Sequence, residues 1–170
     1  NILAIKSKCI EFVENFDNPD THNLLFTGNT GLGKTFMSNC IAKEALEKGK
    51  TVLYQTAGKL MEIVMDYRMN RDNGGIDASQ YNEIFEVDLL IIDDLGTEFN
   101  TQYTLSVLFN VLNYRIINGL STIVTTNLSF DEIKSNYKER IYSRLIGEYK
   151  ALWFCGRDIR LLKRITDEES

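Results

Sequence analysis

The sequence has almost no proline or histidine: one of each, Pro19 and His22, in 170 residues. A single histidine leaves no room for a histidine-rich metal site and argues against a histidine-based catalytic triad. Cysteine is scarce too. Cys9, Cys40 and Cys155 are odd in number and lack metal-type spacing, so they read as buried, reduced thiols of a cytosolic protein. No apolar run approaches the roughly 20 residues that span a bilayer, and no signal-peptide pattern opens the chain. Membrane contact is therefore not expected. Basic residues are the minority, 19 Lys and Arg against 24 Asp and Glu for a net charge of −5, which argues against general nucleic-acid affinity.

What is present is the make-up of a globular protein, 44% hydrophobic and 25% charged, at a length that suits one domain with a real core. The charge is uneven. Lys134 to Arg164 hold nine basic and three acidic residues. That stretch is either a solvated face or an anion-facing edge directed at nucleotide, nucleic acid or a neighbouring subunit.

Short apolar runs recur between helix-like segments. Strands are expected at Leu24–Thr27, Thr51–Gln55, Asp88–Asp93, Thr122–Thr126 and Ala151–Cys155. The second to fourth are nearly continuous apolar or β-branched runs, the pattern of strands covered on both faces. Helices are expected over Ile2–Phe16, Lys34–Lys48 and Thr101–Asn118, the last two stopped by Gly49 and Gly119. In the second, Met37, Cys40, Ile41 and Ala45 form a core-facing stripe. A longer helical insertion, with the polar turn Asn70–Gly75, separates the second and third strands. This alternation predicts an α/β fold: a parallel five-stranded sheet with helices on both faces.

The stretch GNTGLGKT, Gly28 to Thr35, satisfies the phosphate-loop pattern and lies between a strand and a helix, as that motif requires. Its glycines let backbone N–H groups turn inward around phosphates, and the helix N-terminus adds its positive end. Gly28, Asn29, Thr30, Gly31, Leu32, Gly33, Lys34, Thr35 and Phe36 are the expected nucleotide-binding residues. Lys34 should reach the β- and γ-phosphates, and the Thr35 hydroxyl should ligate Mg²⁺.

The run LLIIDDLG ends a buried strand in two carboxylates, which is costly without a cation or water to meet them. Asp93 is expected to hold Mg²⁺, directly or through water, and Asp94 to polarise an attacking water. Adjacent acids after the strand, with no N-K-x-D run anywhere, favour nucleoside triphosphate hydrolysis over a guanine-specific switch. Asn127 closes TTNL at the edge where a parallel sheet binds ligands. It either starts a turn before Ser129 or holds the attacking water or the γ-phosphate. Arg140 and Arg144 lie one helical turn apart, either solvated or with one projecting into a neighbour's nucleotide.

In this order these residues resemble an AAA+ ATPase. More narrowly, LLIIDDLGTE, TTNL, ERIYSRL and GRDIR are similar to bacterial replicative-helicase loaders of the DnaC/DnaI type, and close to IstB-like transposition ATPases. The resemblance spans about Asn15 to Arg164. It implies ATP and ADP binding between protomers, self-association in the ATP-bound form, and control of a ring helicase's placement on single-stranded DNA during replication. It assigns Asn127 as γ-phosphate sensor and Arg144, rather than Arg140, as the arginine finger, with Arg160 as a weaker second sensor. Asp94, where many relatives carry Glu, implies slow hydrolysis. No helical lid is expected after the fifth strand. Residues 1–170 are expected to be one ATPase domain, a fragment without its N-terminal helicase-binding region. The insertion Lys59–Asn73, with Lys59, Arg68, Tyr67 and Arg71, reads as plain helix surface, with DNA contact as the alternative where such relatives carry extra helices. Two other readings stay open: a transposition helper, or a nucleotide-gated binding module with negligible turnover.

Overall fold

The computed structural model describes residues 2–18, 23–70, 78–156 and 158. Pro19, His22, Arg71, Arg160 and the question of a lid beyond the fifth strand lie outside them. The elements run α1 (Ile2–Glu14), β1 (Asn23–Thr27), α2 (Lys34–Glu47), β2 (Val52–Thr56), α3 (Ala57–Asn70), α4 (Ser79–Glu86), β3 (Leu89–Leu95), α5 (Gln102–Ile117), β4 (Ser121–Thr126), α6 (Phe130–Gly147) and β5 (Tyr149–Trp153). All four strand pairings are parallel, and the strand order is β2-β3-β4-β1-β5. The expected sheet is therefore the observed one. Among the described residues no helix is long and apolar enough to cross a membrane.

Two apolar layers follow from the two-residue period of the strands. Leu24, Phe26, Leu89, Ile91, Ile123 and Leu152 face α1 and α2, packing on Phe12, Ile41 and Ala45. Leu25, Leu90, Ile92 and Val124 face the other way, onto Leu60, Ile84, Leu108, Leu112 and Ile141 of α3 to α6. Helices thus cover both faces, which is why β1, β3 and β4 are buried almost throughout.

Several local expectations are corrected. β2 is an edge strand and only half-buried, because among the described residues no further strand lies on its outer side. β5 begins two residues earlier than expected: Tyr149 packs into the core while Lys150 keeps its ammonium at the surface. Cys9 is buried, and burial raises its thiol pKa to about 12, but Cys40 and Cys155 are exposed. The buried stripe of α2 is accordingly Lys34, Ser38, Ile41 and Ala45.

The amino-terminal edge of the sheet is held by a fully buried guanidinium. Arg115 on α5 donates to the carbonyls of Ile84, Val87 and Ser121 and to the Thr122 hydroxyl at 2.7–3.0 Å. Burial lowers its pKa to about 10, so it stays charged at neutral pH. Guanidinium donors matched to three fixed carbonyls and a hydroxyl are what makes such a burial tolerable. This clamp lies at the end of the strands opposite the glycine loop.

α6 is not one straight helix. It opens with a Ser129–Glu132 capping box and breaks at Lys138, whose φ of 61° and ψ of 168° are non-helical. Arg140 and Arg144 therefore ride on the second segment.

Candidate functional site

The carboxyl ends of β1, β3 and β4 converge on one centre. β1 runs straight into the glycine loop. Gly28 has φ 137°, and a Cβ there would come within 2.1 Å of the Phe154 carbonyl oxygen. Gly31, at φ 78°, lies against the Asp158 carboxylate at a similar approach. Both positions need glycine for conformation and for space. Gly33, also left-handed at φ 92°, is the N-cap of α2 and carries no side-chain cap, so the helix's first N–H groups remain available to an anion. Leu32 packs its side chain into the core, whereas the Phe36 ring is 70% exposed.

Lys34 is buried, and its ammonium donates to Gly28 O at 2.6 Å, Asn29 O at 2.8 Å and Asn127 Oδ1 at 2.7 Å. The loop thus folds around its own lysine, and the end of β4 supplies the third acceptor. This brings Asn127 to the phosphate loop, as the sequence led one to expect.

Asp93, the fifth residue of β3, is buried. The Thr35 hydroxyl lies 3.3 and 3.2 Å from its two carboxylate oxygens, and the Thr125 hydroxyl donates to Oδ1 at 2.5 Å. Thr125 in turn accepts the Asp94 backbone N–H at 3.0 Å. Asp94 has φ 56°, a left-handed conformation that Asp tolerates better than most residues. That turn carries the two neighbouring carboxylates in different directions. Gly96 follows, and its N–H is accepted by Glu98, whose other oxygen receives the hydroxyl of buried Tyr137 on α6.

Thr35 and Asp93 are hard oxygen donors facing each other at the start of α2, a set that suits a small divalent cation. Beside them is the Tyr54 hydroxyl of β2, fully shielded and without a hydrogen-bond partner among the described residues. Burial first, then the Asp93 carboxylate close to the hydroxyl and the charge of Asp94, push its pKa up against an opposing pull from the Thr35 hydroxyl, so the phenol stays protonated.

Three residues of this centre escaped the sequence reading. Thr125 looks like one more β-branched strand residue, and Tyr54 like an ordinary strand aromatic. Tyr137 looks like the core residue it also is. Only Thr125 left a trace, since alternation along β4 puts it on the opposite face from Val124.

The arginines are less tied down. Arg144 is half-buried, its closest acidic partner being Glu148 at 3.9 Å. Arg140 is exposed and borders an open groove of about 570 Å³ between α5 and the break in α6.

With this geometry in view, the chain matches the family described as IstB-like ATP binding protein over residues 6–146. It belongs to that family. The chain is also 28% identical, over 164 residues, to the replicative helicase loader DnaC of Escherichia coli strain K12, covering 96% of this chain and 65% of that protein. It thus spans just under two thirds of such relatives. The crystal structure of the DnaC helicase loader superposes with a TM-score of 0.73 at 25% identity, covering 86% of each chain. Replication initiator DnaA bound to AMPPCP and single-stranded DNA superposes at 0.73, with 21% identity over 95% of this chain and half of that one. At that identity the likeness is one of fold. The family is one of ATP-binding proteins, and the fold is that of the AAA+ ATPases.

Proposed function

We propose that this domain is the ATP-driven part of a replicative-helicase loader, which places a ring helicase on single-stranded DNA. The observation that carries the reading is similarity to a named loader along 96% of the chain, coupled to a site in which loop lysine, strand acids and Asn127 already meet.

In this reading, residues 28–36 enclose the triphosphate, and Lys34 exchanges its carbonyl and Asn127 acceptors for phosphate oxygens. Thr35 and Asp93 hold Mg²⁺, which offsets phosphate charge. Asp94 takes a proton from the attacking water, and Asn127 contacts the γ-phosphate. Arg144 acts in trans, so self-association belongs to the ATP-bound form. The exposed Phe36 and Phe99 flank Thr35 and the acid turn in sequence, and they supply apolar surface for a neighbour.

The DNA face is α3 with its neighbours. Tyr67 stacks on Tyr81 at 4.0 Å between ring centres, and Arg68 lies over the Tyr103 ring at 5.8 Å. Exposed cations beside stacked rings are what a single strand requires. Lys59 pairs with Glu62 at 3.1 Å and serves as a screened surface charge.

The test uses the full-length protein, a hexameric replicative helicase and a closed single-stranded circle coated with single-strand-binding protein. Unwinding of an annealed oligonucleotide should require both the protein and ATP. Unwinding unaffected by the protein would overturn the reading. ATP-dependent stimulation of a transposase instead would favour the transposition helper, which the IstB-like match keeps open.

A further inference from the structure

We infer that Tyr54 is a positioning residue of the metal–nucleotide centre, its hydroxyl bonding to a water on the magnesium ion and to Asp93. The inference rests on the proposed ATP-dependent reading and adds a residue to the same site.

β2 lies next to β3 in parallel register, with Tyr54 opposite Ile91 and Thr56 opposite Asp93. The strand period puts Tyr54 on the same face as Ile91 and Asp93, the face that α2 covers. Its ring packs with that layer, and the chain direction carries the hydroxyl toward the carboxyl ends of the strands. There it comes under the influence of Thr35, Asp93 and Asp94 together. Its oxygen is shielded from solvent, yet it completes a well-formed hydrogen bond with none of them.

A shielded hydroxyl without a partner costs about 1–3 kcal/mol. Phenylalanine would fill the same layer of β2 without that cost, so packing alone does not account for the oxygen. The three acidic and hydroxyl neighbours do. Asp93 already accepts from Thr125 and faces Thr35, and a carboxylate has room for further donors. A cation set beside Thr35 and Asp93 brings its own waters, since magnesium keeps several when it binds nucleotide. The phenol oxygen then accepts a hydrogen from one such water and gives its own hydrogen to Asp93. It thereby orients the carboxylate and fixes the water shell. Partners of this kind typically change metal affinity by about 10-fold or more.

The test is Tyr54→Phe, with a fluorescent, non-hydrolysable ATP analogue titrated against Mg²⁺ and also in excess chelator. The half-saturating Mg²⁺ concentration should rise about 10-fold. Affinity in chelator should stay at the wild-type value, and the nucleotide-free Tm should hold or rise, because the change removes a polar atom that nothing satisfied. An unchanged Mg²⁺ midpoint, in a wild type that does respond to Mg²⁺, overturns the role of Tyr54 and leaves the ATP reading standing. A fall in Tm with equal loss of affinity with and without metal also overturns it, since that is the signature of packing. A wild type that binds the analogue identically with and without Mg²⁺ removes the metal reading and this inference together.

Discussion

The Lys34 ammonium and the Asn127 side-chain oxygen meet at 2.7 Å, joining the phosphate loop to the end of β4 across 93 residues of chain. The lysine is therefore a structural member of the loop, tying it to β4. Lys34→Ala should weaken ATP binding by about 100-fold or more, because charge-assisted hydrogen bonds of roughly 1.5–3 kcal/mol each are lost. Calorimetry on the folded variant checks this. Unchanged affinity would remove the phosphate-loop assignment.

Asp94→Asn should retain ATP binding and slow turnover by about 10²-fold or more, since an amide accepts no proton from water. The choice of Asn matters because position 94 has φ 56°, and Asn keeps that backbone without strain. Parallel binding and single-turnover measurements separate the two effects. Equal loss of both would place Asp94 among the metal ligands instead.

Arg144→Ala should leave nucleotide affinity of the dilute monomer within about 2-fold while weakening ATP-dependent assembly, because a finger meets the γ-phosphate only across an interface. Mixing Arg144→Ala with Asp94→Asn chains should restore part of the lost hydrolysis. One of the mixed interfaces pairs an intact Arg144 with an intact Asp94. If Arg140→Ala abolishes assembly and Arg144→Ala does not, the finger is Arg140. Light scattering with and without ATP reads the difference.

Asp88 supplies a pH dependence. The Thr51 backbone N–H and hydroxyl both donate to its carboxylate, at 2.8 and 2.7 Å, and these bonds lower its pKa below the ordinary 3.8. A depressed carboxylate stabilises the fold fully above the unfolded-state value. That stability is lost as pH falls through the lower folded-state value. Thermal melts from pH 7 down to about pH 3 should therefore show a steeper acid loss in the wild type than in Asp88→Asn. Matching slopes would mean the Thr51 contacts are not retained in solution.

Much of this architecture was legible in the sequence because the central strands must be apolar on both faces, and runs such as LLIID admit few other readings. The glycine loop was legible for the opposite reason, since three glycines before Lys-Thr are poor packing material. Legibility ended where the deciding fact is a neighbour far along the chain. Nothing in VLYQT says that β2 has a strand on one side only. Cys40 fits a helical stripe by spacing, but the ridge that meets the sheet is rotated toward Ser38. Tyr54 cannot be told from a packing aromatic until β3 places Asp93 beside it.

Lys138 is an ordinary helix former in sequence, yet at φ 61° and ψ 168° it occupies a region almost reserved for glycine, with strain of about 1–3 kcal/mol. Its ammonium reaches across to Gln102 on α5 at 2.7 Å. Tyr137, immediately before it, is fastened to Glu98 in the acid turn, while Arg140 and Arg144 come after it. The joint separates the part of α6 that is bolted to the acid turn from the part that carries the two arginines. In the assembly proposed above, each unit would carry a fixed post and a swinging arm, so that the aim of the arginines would be set apart from the footing of the acids.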